Sequence, residues 1–114
     1  MEQLNRIELR GVVGSVRMAN VSGKNVANFT MATSRAYTKK DNTAVIETEW
    51  HNVAAWEGGK IQQLDMIEKG AKLFVVGRLV YRKWVGSDGI ERVDAEVQAA
   101  TVELVEEALS SQMS

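Results

Sequence analysis

The 114-residue chain contains no cysteine, so disulfides, thiol nucleophiles and cysteine-bound metals are all excluded. It has a single histidine, His51, around which no serine–histidine–carboxylate relay can be assembled. No glycine-rich phosphate loop leads into a helical segment, and no cofactor is expected. No apolar run approaches the roughly 18 residues of a membrane span. Residues 1–6 lack the basic-then-apolar layout of a signal peptide, so a cytoplasmic location is the expectation, with no membrane partner. An overall positive charge is missing too: the net charge is −1.

What is present is distributed unevenly. All 14 basic residues lie at or before Arg92, together with 10 of the 15 acids, a surplus of +4 over residues 1–92. Asp94, Glu96, Glu103, Glu106 and Glu107 follow with no base among them. That asymmetry suits a basic groove on one side and an acidic strand elsewhere. Hydrophobic residues make up 45% and charged residues 25%, ordinary for a globular domain of this length. One domain is expected over residues 1–105, with a short flexible end at 106–114.

The patterning is mainly that of strands. Ile7–Val16 reads as the first, with Gly11 and Gly14 permitting tight curvature. Asn20–Gly23 reads as a turn, and Val26–Tyr37 as a second strand in which Ala27, Phe29 and Met31 alternate with Asn28, Thr30 and Ala32. Ala44–Trp56 is the third. After Gly58-Gly59, the apolar spacing of Ile61, Leu64 and Ile67 predicts a helix closed by Lys69-Gly70. Lys72–Trp84 and Glu91–Val105 are the last two strands, joined by the Gly86–Gly89 turn. Five strands with a helix between the third and fourth make the all-β element order of an OB-fold, a partly open Greek-key barrel that commonly binds oligonucleotides. A small SH3-like barrel would not need that helix.

All three tryptophans sit on strands. Period two puts Thr48, Trp50, Asn52, Ala54 and Trp56 on one face of the third strand, and Arg78, Val80, Arg82 and Trp84 on one face of the fourth. If these faces adjoin, they form a surface of rings between guanidinium groups, suited to unpaired bases and their phosphates. Each base–aromatic stack is worth about 1–3 kcal/mol and depends little on base identity. Arginine adds phosphate pairing and cation–π contacts. Arg35, Tyr37 and Lys40 repeat the mixture at the edge of a loop. The competing reading places the tryptophans in the core. Against it, Thr48, Asn52, Arg78 and Arg82 are poor companions for a dry interior.

Several of these segments together resemble the signature segments of bacterial single-stranded DNA-binding proteins: Val26–Ser34, Thr48–Val53, Lys69-Gly70, Gly77–Leu79 and Arg82–Trp84. They follow that family's order and spacing across residues 5–105. The resemblance implies a homotetramer of OB-folds that binds and protects single-stranded DNA, with little sequence preference, during replication, recombination and repair. It further implies stacking of bases on Tyr37, Trp50, Trp56 and Trp84, phosphate contacts at Lys69, Arg82 and Lys83, and a subunit contact at His51. Arg35, Lys40 and Arg78 join the phosphate-binding set from the strand reading. Three departures stand out. Gly14–Met18 runs on without the family's Gly-x-Asp-Pro-Glu segment. Asn52 occupies a position where the family often has arginine. Typical members also close on a long tail with an acidic Pro-Phe tip that recruits replication and repair proteins, and residues 110–114 carry no such tip.

Three other readings compete. Glu47, Glu49 and His51 share the opposite face of the third strand, a spacing able to grip a divalent cation if further ligands arrive from elsewhere. A histidine paired with a carboxylate at a subunit contact is the preferred reading. Within the same fold, the tail-less dimeric primosomal replication protein is the alternative; the three tryptophans favour the coating protein. RNA binding would call for aromatic RNP-type motifs, which are not found.

Overall fold

Five long strands account for most of residues 1–105, the part of the chain that the computed structural model describes. They are β1 (Ile7–Val21), β2 (Lys24–Thr38), β3 (Ala44–Trp56), β4 (Lys72–Val85) and β5 (Glu91–Leu104), closed into a barrel in the order β1-β2-β3-β5-β4. This is the all-β, five-stranded OB architecture that the strand pattern suggested. β1 runs five residues beyond its expected end, so that Ser22-Gly23 alone makes the turn into β2. The flexible end expected at 106–114 lies outside the described residues.

Alternation along each strand builds the core. Ala27, Phe29 and Met31 of β2 face inward with Val53 and Ala55 of β3, Leu73 and Val75 of β4, and Val97 and Val102 of β5. β1 serves two neighbours, pairing through Ile7–Val12 with β4 and through Val12–Val21 with β2, with a register shift between Val13 and Val16. Gly11 makes this double pairing sterically feasible, because a Cβ there would collide with the Ala32 carbonyl oxygen.

The helix expected between Gly58-Gly59 and Lys69-Gly70 does not form. Single turns replace it, closed by hydrogen bonds from the Ile61 N–H to the Gly58 carbonyl (2.9 Å), from Ile67 to Leu64 (3.0 Å) and from Ala71 to Glu68 (3.0 Å). These are three-residue spans, one short of the α-helical repeat. Positive φ at Gly58 (131°), Gly59 (57°) and Gly70 (88°) interrupts both ends. An apolar residue at every third position fits such turns as well as it fits a helix. Ile61, Leu64 and Ile67 are still 4%, 6% and 2% exposed, so the segment supplies core as an irregular loop.

Candidate nucleic-acid interface

The β4–β5 hairpin extends beyond the barrel and carries the most elaborate aromatic site. Trp84 stands across from Arg92 and Arg82 across from Asp94. The Trp84 indole N–H donates to Asp94 Oδ2 at 2.6 Å, a short charge-assisted bond that fixes the ring's edge. The Arg92 guanidinium lies 5.3 Å from the centroid of the same ring. Asp88, in the turn, holds Arg92 bidentately at 3.1 and 2.7 Å and accepts the Ile90 N–H at 3.0 Å. Those bonds, Arg92 first, pull the Asp88 carboxyl below its ordinary pKa and push the Arg92 guanidinium up. Trp84 is 44% exposed, so one face remains open to a ligand although its orientation is set.

Between this hairpin and the outer face of β2–β3 runs a groove of about 1040 Å³, lined by Thr30 and Asn52 on one side and by Arg82, Lys83, Trp84, Asp94 and Glu96 on the other. The predicted β3 and β4 faces therefore meet across a groove and do not lie side by side. β5 separates the strands, pairing with β3 at Val53 and Ala54 and with β4 along its length. Trp50 adjoins the groove. It is 62% exposed, pairs with Ala32, and rests its ring against Gly14 beside Thr30. The Thr30 hydroxyl is engaged with Ser15, whose N–H donates to it at 3.0 Å.

The remaining predicted residues fall elsewhere. Trp56 is 37% exposed and lines a second hollow with Arg78, whose guanidinium donates to Gln98 Oε1 at 2.9 Å. Tyr37 and Arg35 lie near the far end of the β2–β3 hairpin. The β2–β3 register puts Tyr37 on the face opposite Trp50. Its ring is covered by Arg35 at 4.9 Å, and Arg35 pairs with Glu47 at 2.9 Å. Lys40 sits in the turn of that hairpin and Lys69 in the loop before β4. The structure thus divides the predicted site among the main groove, a second hollow, a hairpin tip and a loop.

Within the chain, the bonding partner of His51 is a hydroxyl. Its Nε2 is 2.8 Å from the Thr33 hydroxyl, and no carboxylate bonds it among the described residues. Glu47, one of the three residues weighed as metal ligands, is committed to Arg35 and lies 3.5 Å from the Tyr37 hydroxyl. No group of three or more metal-ligating side chains assembles among the described residues.

The cations differ in availability. Arg82 lies 3.2 Å from Glu96 Oε1, and that oxygen is buried with no hydrogen bond to it, so the pair is held by charge at an unfavourable angle. Lys83 and Arg17, both lining the groove, have no ion-pair partner among the described residues. Sequence reasoning missed Asp94, Glu96 and Arg92. Their alternation on β5, read against Arg82 and Trp84 on β4, carried the signal.

Residues 4–105 match the model of the single-strand binding protein family. The chain belongs to that family. Among curated members, the single-stranded DNA-binding protein 1 of Chlorobaculum tepidum is 35% identical over 85 residues, covering 71% of this chain and 51% of that protein. The single-stranded DNA-binding protein of Neisseria meningitidis serogroup A is 33% identical over 108 residues, covering 90% of this chain and 60% of that protein. The chain thus spans between half and three-fifths of the length of these relatives. Among solved structures, the Plasmodium falciparum SSB in complex with ssDNA superposes with a TM-score of 0.79 at 24% identity, covering 93% of this chain and 98% of that one, a likeness of fold. The single-stranded DNA binding protein from Thermus aquaticus, a deletion mutant, superposes with a TM-score of 0.75 at 27% identity, covering 93% of this chain and 52% of that one.

Proposed function

We propose that this member of the single-strand binding protein family binds single-stranded DNA without catalysing a reaction on it, and protects the strand during replication, recombination and repair. The observation that carries the reading is the groove lined by the exposed Trp84 ring, by the hydroxyl and amide groups of Thr30 and Asn52, and by the cations Arg17, Arg82 and Lys83, with the exposed Trp50 ring adjoining it. Flat rings hold any base by its π-face, and cations track the backbone, so sequence preference is weak. Trp50 and Trp84 are the principal platforms in this reading, with Trp56 and Arg78 beside a second length of strand. Tyr37 and Arg35 act only when the Arg35–Glu47 pair opens. Lys40 in the hairpin turn and Lys69 in the loop before β4 add charge away from the groove.

A homo-oligomer, tetrameric as the family resemblance implies, with His51 at a subunit contact and a location in the cytoplasm on the nucleoid, belongs to the same proposal. Open strand edges and a small core support assembly. The test is end-labelled oligo-dT against a duplex of equal length, followed by anisotropy over a salt series. Preference for the single strand, with a log–log salt slope of about −0.7 per phosphate neutralised, is expected. Equal affinity for the duplex would refute the reading. Sedimentation of His51→Lys should show smaller species than wild type; an unchanged profile would remove His51 from the interface.

A further inference from the structure

Past Leu79 the row of side chains that lines the barrel interior continues without a core to enter. Leu73 and Val75 are fully buried, Leu79 packs against the core from its margin, and Tyr81, next in the row, is 67% exposed. The Asn5 side chain bonds the Leu79 carbonyl (2.8 Å) and N–H (2.9 Å), while β1 pairing has already ended at Gly77. From Val80 onward the edge of β4 away from β5 is open. Ala95 stands directly across from Tyr81, and Val93 across from Lys83. No large side chain opposes the phenol ring, and no cation lies over it among the described residues.

Charge separates the two faces of this hairpin. Asp94 and Glu96 alternate onto the face of Arg82 and Trp84. The Tyr81 face carries Lys83 and meets its first carboxylate only at Glu91, opposite Val85. β4 itself contains no acidic residue. On the Trp84 face Arg82 and Arg92 offset these carboxylates but are engaged with Glu96 and Asp88, whereas Lys83 on the Tyr81 face has no ion-pair partner among the described residues and is open to a phosphate. Lys83 also borders the main groove, which makes the two faces continuous.

We propose that Tyr81 is a further base-stacking platform, used with Lys83 by a single strand of DNA that leaves the Trp84 groove and passes around the open edge of β4. The inference rests on the single-strand-binding reading above. The strand would grip the hairpin from both faces, the Trp84 face ordered by its carboxylate and arginine and the Tyr81 face supplied by an open ring and an unpaired lysine.

The experiment compares wild type, Tyr81→Ala and Tyr81→Phe with end-labelled oligo-dT of increasing length, by anisotropy at low salt, alongside sedimentation of each free protein. The shortest oligomers that bind should not distinguish the three proteins. Longer ones should bind Tyr81→Ala roughly 5- to 150-fold more weakly, the span of one base stack. Tyr81→Phe should recover wild-type affinity, because the ring and not the hydroxyl does the holding. Wild-type binding at every length by Tyr81→Ala would overturn the proposal and leave the DNA reading standing. A smaller sedimenting species for Tyr81→Ala, with affinity reduced equally at all lengths, would overturn it by assigning the face to contacts between copies. Failure of wild type to bind any oligomer would remove the DNA reading and the Tyr81 platform together.

Discussion

Replacing Gly14 with alanine should weaken the hold on DNA more than the hold on the fold. The new methyl group would collide with Trp50 Cζ3 and lie 3.0 Å from Cη2 of that ring and 2.9 Å from Thr30 Oγ1. Such atoms ordinarily settle at about 3.5–4.0 Å. The indole must therefore lift by about 1 Å or leave its rotamer, at a cost of about 0.5–1.5 kcal/mol. Trp50 is 62% exposed, so this movement opens no cavity in the core. Stability should fall by about 1 kcal/mol, or roughly 4–8 °C in Tm for a domain of this size. Binding should fall by about 1–3 kcal/mol if the displaced ring no longer offers its face to a base. Gly11→Ala is the contrasting variant. Its methyl group meets the Ala32 carbonyl, a backbone atom of the strand held between β1 and β3, so it should cost about 3 kcal/mol or more. Thermal melts followed by circular dichroism, paired with oligo-dT titrations, separate the two effects. Wild-type affinity in Gly14→Ala, or a stability loss as large as that of Gly11→Ala, would refute the reasoning.

Other perturbations test the rest of the account. Ile67→Ala should cost about 2–5 kcal/mol in denaturant unfolding, because the residue is 2% exposed in the core despite lying in an irregular loop; a loss below 1 kcal/mol would show the loop to be dispensable. Glu96→Gln should free Arg82 for phosphate and steepen the log–log salt slope by up to about 0.7; an unchanged slope would mean that Arg82 meets no backbone. Asp88, held below its ordinary pKa of 3.8 chiefly by Arg92, favours the folded state above that value and loses its contribution as pH falls through the lowered one. Between about pH 5 and 2.5, wild-type Tm should therefore drop further than that of Asp88→Asn; parallel curves would contradict the pairing.

Much of the barrel was legible because one face of each strand is buried, and a period of two then marks the inward row. Ala27, Phe29 and Met31 show this on β2. The loop at 57–71 mimics a helix in sequence because apolar residues spaced by three satisfy successive turns as readily as a helix, and the positive φ at Gly58, Gly59 and Gly70 with the three-residue hydrogen-bond spans distinguishes the two. Trp50 and Trp84 were found as exposed rings, but their relation across a groove depends on which strands pair. The β2–β3 register that turns Tyr37 away from Trp50 is likewise a property of two strands together. Period two along one strand cannot state it. The same holds for Arg35 with Glu47 and for Arg82 with Glu96, cross-strand pairs that decide which cations remain available.

The most direct test of the central claim is the intrinsic tryptophan fluorescence of the wild-type protein during titration with oligo-dT at low salt. Trp50 and Trp84, both partly open beside one groove, should be quenched as bases stack on them, and the signal should recover as salt is added. Emission unchanged through saturating oligo-dT would contradict the account.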